Sequence, residues 1–314
     1  METISKERYF RLLSKSAREK NIPFSGHFEL TPLCNLDCRM CYVHLQDPAV
    51  KERMLSGREW ISIMKQAIQR GMMCAVLTGG EALTHPDFWT IYDFLQSEGL
   101  YVRLKTNGIL LTGETIERFA KHPPTNIDIS LYGCDRESYL AVTGHDVFDT
   151  VIENIRAAKD AELSVHLMVV PSRPMMPYLD GILALAKSLD VPVLVNELLI
   201  APREDTGREK ENFDLSRDEY LGIARKRREL FPDEFRKNED EEPEEITQPH
   251  AAVPEKGLRC GGGRSVFAVH WDGMLVPCLN FSAEMIGEDV RKTGFDAAWQ
   301  SVNRGVREFP VPAD

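Results

Sequence analysis

The chain has few cysteines and no long apolar run, and each shortage excludes a class of protein. Seven cysteines among 314 residues are too few, and odd in number, for a disulfide framework. Residues 1–7 lack the apolar stretch of a secretory signal, and no apolar segment approaches the length of a membrane span. We therefore expect a protein of the reducing cytoplasm that has no membrane partner.

Basic residues are fewer than acidic ones, with 38 Lys and Arg against 49 Asp and Glu. The formal net charge is −11, whereas surfaces that neutralise nucleic-acid phosphates are basic, so we expect no nucleic-acid partner. Residues 233–255 hold nine acidic and two basic side chains, with Pro243, Pro249 and Pro254 among them. Such a stretch has too little apolar surface to offset the entropy of ordering it. We interpret residues 232–257 as an acidic mobile linker between two parts of the protein.

Three of the cysteines stand close together. Three residues separate Cys34 from Cys38, and two separate Cys38 from Cys41. A loop this short can direct three thiolates at one face of a cubane iron–sulfur cluster, which leaves one iron without a protein ligand. A structural zinc site is the alternative, but it usually takes its ligands as two close pairs. Cys260 and Cys278 have seventeen residues between them, so they fit a second pair poorly.

Strand-like runs alternate with helical ones before residue 232. The strand-like runs are residues 27–30, 74–77, 102–105, 127–131, 165–170 and 191–199. Helical patterns cover residues 6–20, 58–70, 87–97, 114–121, 147–161 and 176–189. This alternation predicts a parallel sheet, either a partial barrel of six β/α units or a doubly wound open sheet. The barrel is favoured because polar motifs follow each strand-like run, where barrel enzymes build their sites; the first helix is expected to cover the barrel's bottom.

Gly79, Gly80 and Glu81 directly follow the second strand-like run. Two glycines let the backbone approach a ligand closely, and a glutamate offers an acceptor for an ammonium group. Together with the cysteine spacing and the aromatic Tyr42, this segment resembles the signature of the radical S-adenosylmethionine (SAM) superfamily. The resemblance covers about residues 25–200. It implies an α/β fold with a partial (β/α)6 TIM-like barrel, whose Cys34, Cys38 and Cys41 hold a [4Fe-4S] cluster with SAM on its open iron.

The resemblance implies further cofactor contacts along the chain. Asn107 and Ser130 stand where members of the superfamily bind the ribose and the methionine carboxylate. Many members also carry an arginine just before a glycine downstream of the fourth strand, whereas this chain has Thr143 before Gly144. Glu197, in the sixth strand-like run, is a further candidate. No general-base pair is present in the motifs, and we assign no catalytic residue.

Residues 260–278 predict a β-hairpin that places Cys260 and Cys278 at one open end. Residues 265–271 and 274–276 read as its strands, and Asp272 with Gly273 as a two-residue turn. Two unrelated thiols are the alternative. The pattern resembles the start of a SPASM or twitch extension, which holds auxiliary iron–sulfur clusters. A full extension brings further cysteines after a segment like residues 307–312, so we expect an incomplete extension from a truncated chain and leave the auxiliary cluster open.

These patterns divide the chain into four parts: an N-terminal helix (1–24), a radical SAM core barrel (25–231), the acidic linker (232–257) and a partial SPASM/twitch-like extension (258–314). The resemblance implies an enzyme that cleaves SAM to a 5′-deoxyadenosyl radical, which takes hydrogen from a substrate. Relatives with the extension often modify peptides or proteins. We therefore expect a peptide or protein substrate and a reductant such as flavodoxin or ferredoxin.

Two other functions stay open at the level of sequence. The first is a radical SAM enzyme that acts on a small molecule. The second is a non-catalytic iron–sulfur protein that serves as an electron carrier or sensor. Gly79, Gly80 and Glu81 count against a carrier, because a carrier has no need for a loop that binds an amino acid.

Overall fold

A computed structural model of the chain describes residues 6–43, 45, 49–195, 214–231, 257 and 260–310. Its strands are β1 (Ser25–Glu29), β2 (Cys74–Thr78), β3 (Tyr101–Thr106), β4 (Asn126–Ser130), β5 (Val165–Val169), β6 (Val193–Val195), β7 (Val266–Val269), β8 (Met274–Val276) and β9 (Glu288–Asp289). They form one sheet in the order β6-β5-β4-β3-β2-β1-β7-β8-β9. The neighbours from β6 to β7 are parallel. Within the described ranges the sheet is not closed, and β6 and β9 are its edges.

Helices follow the first six strands, which confirms the predicted alternation. The helices of the described ranges are α1 (Lys6–Lys20), α2 (Val50–Arg53), α3 (Gly57–Gln69), α4 (Phe88–Ser97), α5 (Gly113–Lys121), α6 (Arg136–Thr143), α7 (Phe148–Asp160), α8 (Leu179–Ser188), α9 (Arg217–Leu230), α10 (Val290–Thr293) and α11 (Phe295–Glu308). Local sequence sets several of their ends. Ser56, for example, accepts a hydrogen bond from the Glu59 N–H while the Glu59 side chain bonds back to Ser56, a capping box that starts α3.

The predicted elements differ from the observed ones in several places. The helix predicted from residue 176 begins at Leu179, because residues 173–178 form a 3-10 turn that contains Pro174 and Pro177. Helices α2, α6, α9, α10 and α11 were not predicted. The sixth strand ends at Val195 in the part of the chain that is described, and Glu197 and residues 232–256 of the predicted linker lie outside that part.

The helix-facing side of the sheet carries a core rich in aromatic rings. Phe28 on β1 meets Trp60 of α3 edge to face, with ring centroids 5.9 Å apart, and meets Phe267 of β7 at 5.8 Å. Phe267 in turn contacts Phe295 of α11 at 5.0 Å. This continuous packing joins the C-terminal strands and α11 to the barrel, since all four side chains are fully buried.

The predicted C-terminal hairpin forms, but it is not a separate attachment. Strand β7 pairs in parallel with β1, starting at Ser25 opposite Val266, and it thereby extends the barrel sheet. Strand β8 returns antiparallel to β7. The predicted two-residue turn is wrong: the His270 N–H donates to the Met274 carbonyl at 2.9 Å, which leaves a three-residue loop between them.

Helix α1 packs against the bottom of the barrel, as expected. Phe10, Leu13 and Ala17 contact a small cluster with Phe24, which precedes β1, and Tyr101, which begins β3. These positions lie at the amino ends of the strands, opposite to the cysteine loop. None of the helices in the described ranges is long and apolar enough to cross a membrane.

Candidate functional site

A cavity of about 180 Å³ lies at the carboxyl ends of the parallel strands. Most of the residues singled out in the sequence line it: Cys34, Cys38, Cys41, Gly79, Gly80, Asn107 and Ser130. Glu81, Cys260 and Cys278 do not. We call five of the lining residues the cysteine rim: Cys34, Cys38, Cys41, Gly79 and Gly80. The structure thus brings the three thiols and the two glycines to one wall, as expected for loops that follow neighbouring parallel strands.

The two glycines of the cysteine rim touch the backbone of the cysteine loop. The Gly80 N–H donates to the Thr31 carbonyl at 2.6 Å, and the Glu81 N–H donates to the Leu33 carbonyl at 2.9 Å. A Cβ atom on Gly79, whose φ is +147°, would lie 2.4 Å from the Thr31 oxygen, and one on Gly80 would lie 2.4 Å from the Leu33 oxygen. Only glycine fits at both positions, because any side chain meets backbone there.

The other side of the cysteine loop is held by the end of α6. The Asp37 N–H donates to the Thr143 carbonyl at 3.0 Å, and the Arg39 N–H donates to the Val142 carbonyl at 3.1 Å. These carbonyls lie in the last turn of the helix, where they lack partners within it. The segment in which many members of the superfamily carry an arginine therefore supports the loop here through its backbone.

The Glu81 carboxylate is fully buried and faces away from the cavity. It accepts hydrogen bonds from the Leu83 N–H at 3.1 Å and the Asn107 N–H at 2.8 Å. The Thr106 hydroxyl lies 2.9 and 3.0 Å from its two oxygens. Burial raises the pKa of Glu81, and these hydrogen bonds oppose that shift. The carboxylate thus fixes the segment that contains Asn107, and its contact with the ammonium group of SAM stays a prediction.

Asn107 connects the end of β3 to the cysteine loop. Its side-chain amide donates to Asn35 Oδ1 at 2.7 Å and lies 3.6 Å from the Cys34 sulfur. Burial raises the pKa of the Cys34 thiol to about 12, and the charge of Glu81 adds to this shift. Without a ligand, Cys34 is therefore protonated at neutral pH, and a metal that binds it displaces the proton.

The donor set fits a cubane cluster better than a single metal ion. All seven cysteines are free thiols, so none of the three in the loop is taken up by a disulfide. Among the described residues, no three Cys, His, Asp or Glu side chains converge as the ligands of one ion. A cubane binds each thiolate at a different iron, so its ligands need not converge on one point. Three thiols on one cavity wall satisfy that requirement.

The sequence itself connects this site to a known family. Residues 28–177 match the sequence model of the radical SAM superfamily. Residues 28–177 form a radical SAM domain. Mycofactocin maturase MftC of Mycobacterium tuberculosis (strain CDC 1551 / Oshkosh) is 29% identical over 193 residues, which cover 60% of this chain and 48% of that protein. PqqA peptide cyclase of Streptomyces rochei is 30% identical over 145 residues, which cover 46% and 40%. The chain therefore spans about half the length of the curated relatives it matches.

Solved structures show that the fold is shared. SuiB of Streptococcus suis, solved with bound SAM, superposes with a TM-score of 0.66 at 16% sequence identity, covering 98% of this chain and 73% of SuiB. SuiB solved with its precursor peptide SuiA also gives a TM-score of 0.66 at 16% identity, covering 98% and 74%. At this identity the likeness concerns the fold alone, and it confirms the partial barrel of the radical SAM domain.

A layer of charged residues lies deeper in the radical SAM domain, below the cysteine rim. Arg103 and Lys105 on β3 stand opposite Asn126 and Asp128 on β4. The Asp128 carboxylate accepts hydrogen bonds from the Arg103 guanidinium at 2.7 Å and from the Asn126 side-chain amide at 2.5 Å. Lys105 and Asp128 line the cavity. We call Arg103, Lys105 and Asp128 the charged layer.

Sequence reasoning missed this layer, although a signal for it exists. Along β3 partly buried and fully buried residues alternate, so Arg103 and Lys105 share the inner face while Val102 and Leu104 face the helices. Along β4 Asp128 occupies the inner face in the same way. Polar residues at every second position of two neighbouring strands indicate a polar barrel interior. Tyr132, two residues after β4, also lines the cavity of the radical SAM domain and was not predicted.

Cys260 and Cys278 lie at the opposite end of the hairpin strands from the cysteine rim. Cys260 is exposed and Cys278 is partly buried. Burial raises the pKa of the Cys278 thiol, and the nearby charge of Cys260 adds to the shift. Because β8 returns antiparallel to β7, both cysteines lie at the open end of the hairpin, as predicted. Leu279, next to Cys278, lines the cavity of the radical SAM domain.

Proposed function

We propose that this chain is the catalytic core of a radical SAM enzyme that takes hydrogen from a peptide or protein substrate. One observation carries the proposal: three cysteines from one loop and the Gly79-Gly80 backbone share a single cavity at the carboxyl ends of the parallel strands. Thiols alone suit a carrier of electrons, whereas thiols beside a glycine backbone that admits no side chain suit a cluster that receives a second ligand.

The residues of the cavity divide into three tasks under this proposal. Cys34, Cys38 and Cys41 hold a [4Fe-4S] cluster, while the backbone at Gly79 and Gly80 and the side chains of Asn107 and Ser130 contact SAM. When bound, these two groups supply an electron and a 5′-deoxyadenosyl radical that takes hydrogen from the substrate. Apolar side chains complete the wall and exclude water: Leu36, Met40, Val43, Met168 and Val170.

The test is cleavage of SAM by the reconstituted protein. The protein is purified without oxygen, supplied with iron and sulfide and reduced, and 5′-deoxyadenosine is measured. Cys34→Ala, Cys38→Ala and Cys41→Ala should each lower its formation at least about 100-fold, because an incomplete cluster has no site for SAM. Cys134→Ala is the matched control, since Cys134 is a partly buried loop thiol outside the cavity.

Each other outcome points to a different protein. Bound zinc in place of iron would contradict the proposal. A cluster that forms without SAM cleavage would favour the carrier or sensor. Product that persists in the three cysteine variants would show that the chemistry occurs elsewhere.

A peptide or protein is the proposed substrate, and a small molecule is the alternative. Support comes from the relatives, one of which is named a peptide cyclase, and from a shared fold with a protein solved together with its precursor peptide. We further propose a cytoplasmic location and a flavodoxin or ferredoxin as reductant.

Cys260 and Cys278 are proposed ligands of an auxiliary iron–sulfur cluster of the SPASM or twitch kind. Two thiolates bind only part of a cubane, so further ligands are required. The iron content of the reconstituted protein tests this: Cys260→Ala/Cys278→Ala should lower it if the second cluster forms.

A further inference from the structure

A lysine ammonium faces the cavity without a partner at hydrogen-bond distance. Lys105 lines the cavity from the inner face of β3. In the part of the chain that the structure describes, no hydrogen bond or ion pair involves its side chain. We propose that Lys105 binds a carboxylate of the substrate, either the C-terminal carboxylate of a peptide or an acidic side chain. This inference rests on the proposed function and names the chemical class that its site accepts.

The nearest negative charge is already committed to other groups. Asp128, opposite Lys105 in the register, is fully buried, and its two oxygens accept from Arg103 at 2.7 Å and from Asn126 at 2.5 Å. Burial lowers the pKa of Lys105, and Asp128 opposes that shift. Glu29, a further buried carboxylate at this level of the sheet, lies on β1, two strands away from β3, and does not line the cavity. Since an unpaired buried charge is costly, an ammonium that faces a cavity without a partner at hydrogen-bond distance indicates that an anion binds there during function.

His27, close to this layer, does not contribute a second positive charge that could bind an anion. Burial lowers its pKa to about 3, and the charges of Lys105 and Arg103 add to the shift. The imidazole is therefore neutral at neutral pH, and Lys105 is the cation that faces the cavity. A single ammonium among apolar neighbours such as Met168 and Val170 suits a carboxylate, whereas a phosphate dianion is commonly held by several donors.

The depth of Lys105 separates it from the proposed cofactor contacts. Asn107, just after β3, follows Lys105 by two residues, and Ser130, at the end of β4, follows Asp128 by two residues. Two residues of strand correspond to roughly 6–7 Å. The carboxylate of SAM is therefore expected to be held near Asn107 and Ser130, while Lys105 lies below them on the side away from the cysteine rim.

The experiment measures binding of small carboxylates to reconstituted, SAM-loaded protein by anaerobic equilibrium dialysis. Isotope-labelled N-acetyl-L-alanine presents a C-terminal carboxylate, and N-acetyl-L-aspartic acid α-amide presents a side-chain carboxylate. N-acetyl-L-alaninamide is the uncharged probe. The variants are Lys105→Met, which removes the charge at similar length, and Lys105→Arg, which keeps it. Lys121→Met, at the exposed end of α5, is the matched control.

We expect the wild type, Lys105→Arg and Lys121→Met to bind at least one carboxylate probe roughly ten-fold more tightly than Lys105→Met does. The preferred probe tells the C-terminal from the side-chain source. Equal binding by Lys105→Met, or no carboxylate binding by the wild type, overturns the inference. So does a loss of SAM affinity in Lys105→Met, which would assign the ammonium to the cofactor. Failure of the proposed function shows separately, as absence of cysteine-dependent SAM cleavage by the wild type.

Discussion

The cysteine rim and the charged layer are two levels of one cavity, and different forces hold them. Backbone hydrogen bonds and glycines packed against carbonyl oxygens fix the rim, as in the contact between Gly80 and Thr31. Ionic side chains from two neighbouring strands, such as Arg103 and Asp128, fix the layer below. The comparison teaches that the rim depends on shape, which tolerates changes of pH, whereas the layer depends on charge.

The largest expected effect comes from breaking the shape of the rim. Gly79→Ala forces a Cβ to within 2.4 Å of the Thr31 oxygen at a φ of +147°, and we expect it to lower the free energy of unfolding by about 3 kcal/mol. Urea denaturation and the iron content after reconstitution measure the change. Gly99→Ala is the control, because Gly99 has a φ of +72° with nothing within 4 Å. It should cost only about 1 kcal/mol, and equal losses for both variants would contradict the role of close packing.

A smaller effect is expected from neutralising the anion of the charged layer. Asp128→Asn leaves Arg103 without its carboxylate partner, which we expect to cost about 2 kcal/mol of unfolding free energy. The expected cost is no larger because the Arg103 side chain is 42% exposed, so that water screens the ion pair. In an Arg103→Met background the same substitution should cost less, because the ion pair is already lost. Equal costs in the two backgrounds would show that the pair contributes nothing.

The smallest expected effect is a dependence on pH that comes from His27, whose pKa is lowered by burial and by the charges of Lys105 and Arg103. The folded-state pKa of His27 is about 3, below its ordinary value of 6.5, so the unfolded chain takes up a proton first as the pH falls. Stability from this residue is complete above about pH 6.5 and is lost between 6.5 and 3. Between pH 7.5 and 5.5 the loss is about 1 kcal/mol. Denaturation curves measure this loss. Between these two pH values the unfolding free energy of His27→Gln should fall by about 1 kcal/mol less than that of the wild type. His122→Gln, which replaces an exposed histidine, should follow the wild type.

The rim was predictable because its information is local. The spacing of Cys34, Cys38 and Cys41 and the order of Gly79 and Gly80 can be read along the chain, and parallel strands bring their carboxyl ends to one edge whatever the exact register. The six β/α units were predictable for a similar reason, since apolar periodicity distinguishes strands from helices. The superfamily and the main lines of the barrel follow from these patterns.

The charged layer was not predictable in the same way, because it depends on contacts between distant parts of the sequence. Whether Lys105 faces the cavity or the helices depends on which face of β3 is buried, and a shift of one residue reverses it. The orientation of Glu81 depends on donors from Thr106 and Asn107, which stand well apart from it in the chain. The pairing of β7 with β1 leaves no local pattern at all.

The pairing of β7 with β1 has a consequence for the nascent chain during translation. During synthesis β2 can cover one edge of β1 soon after β1 emerges, but β7 follows only after β6 has been made. Until β7 pairs with β1, the edge of β1 that β7 covers has unpaired N–H and carbonyl groups that can pair with a strand of another chain. The nascent chain therefore carries an unpaired strand edge beside its cysteine loop while β2 to β6 are made, and the emergence of β7 is the step that removes this risk of aggregation.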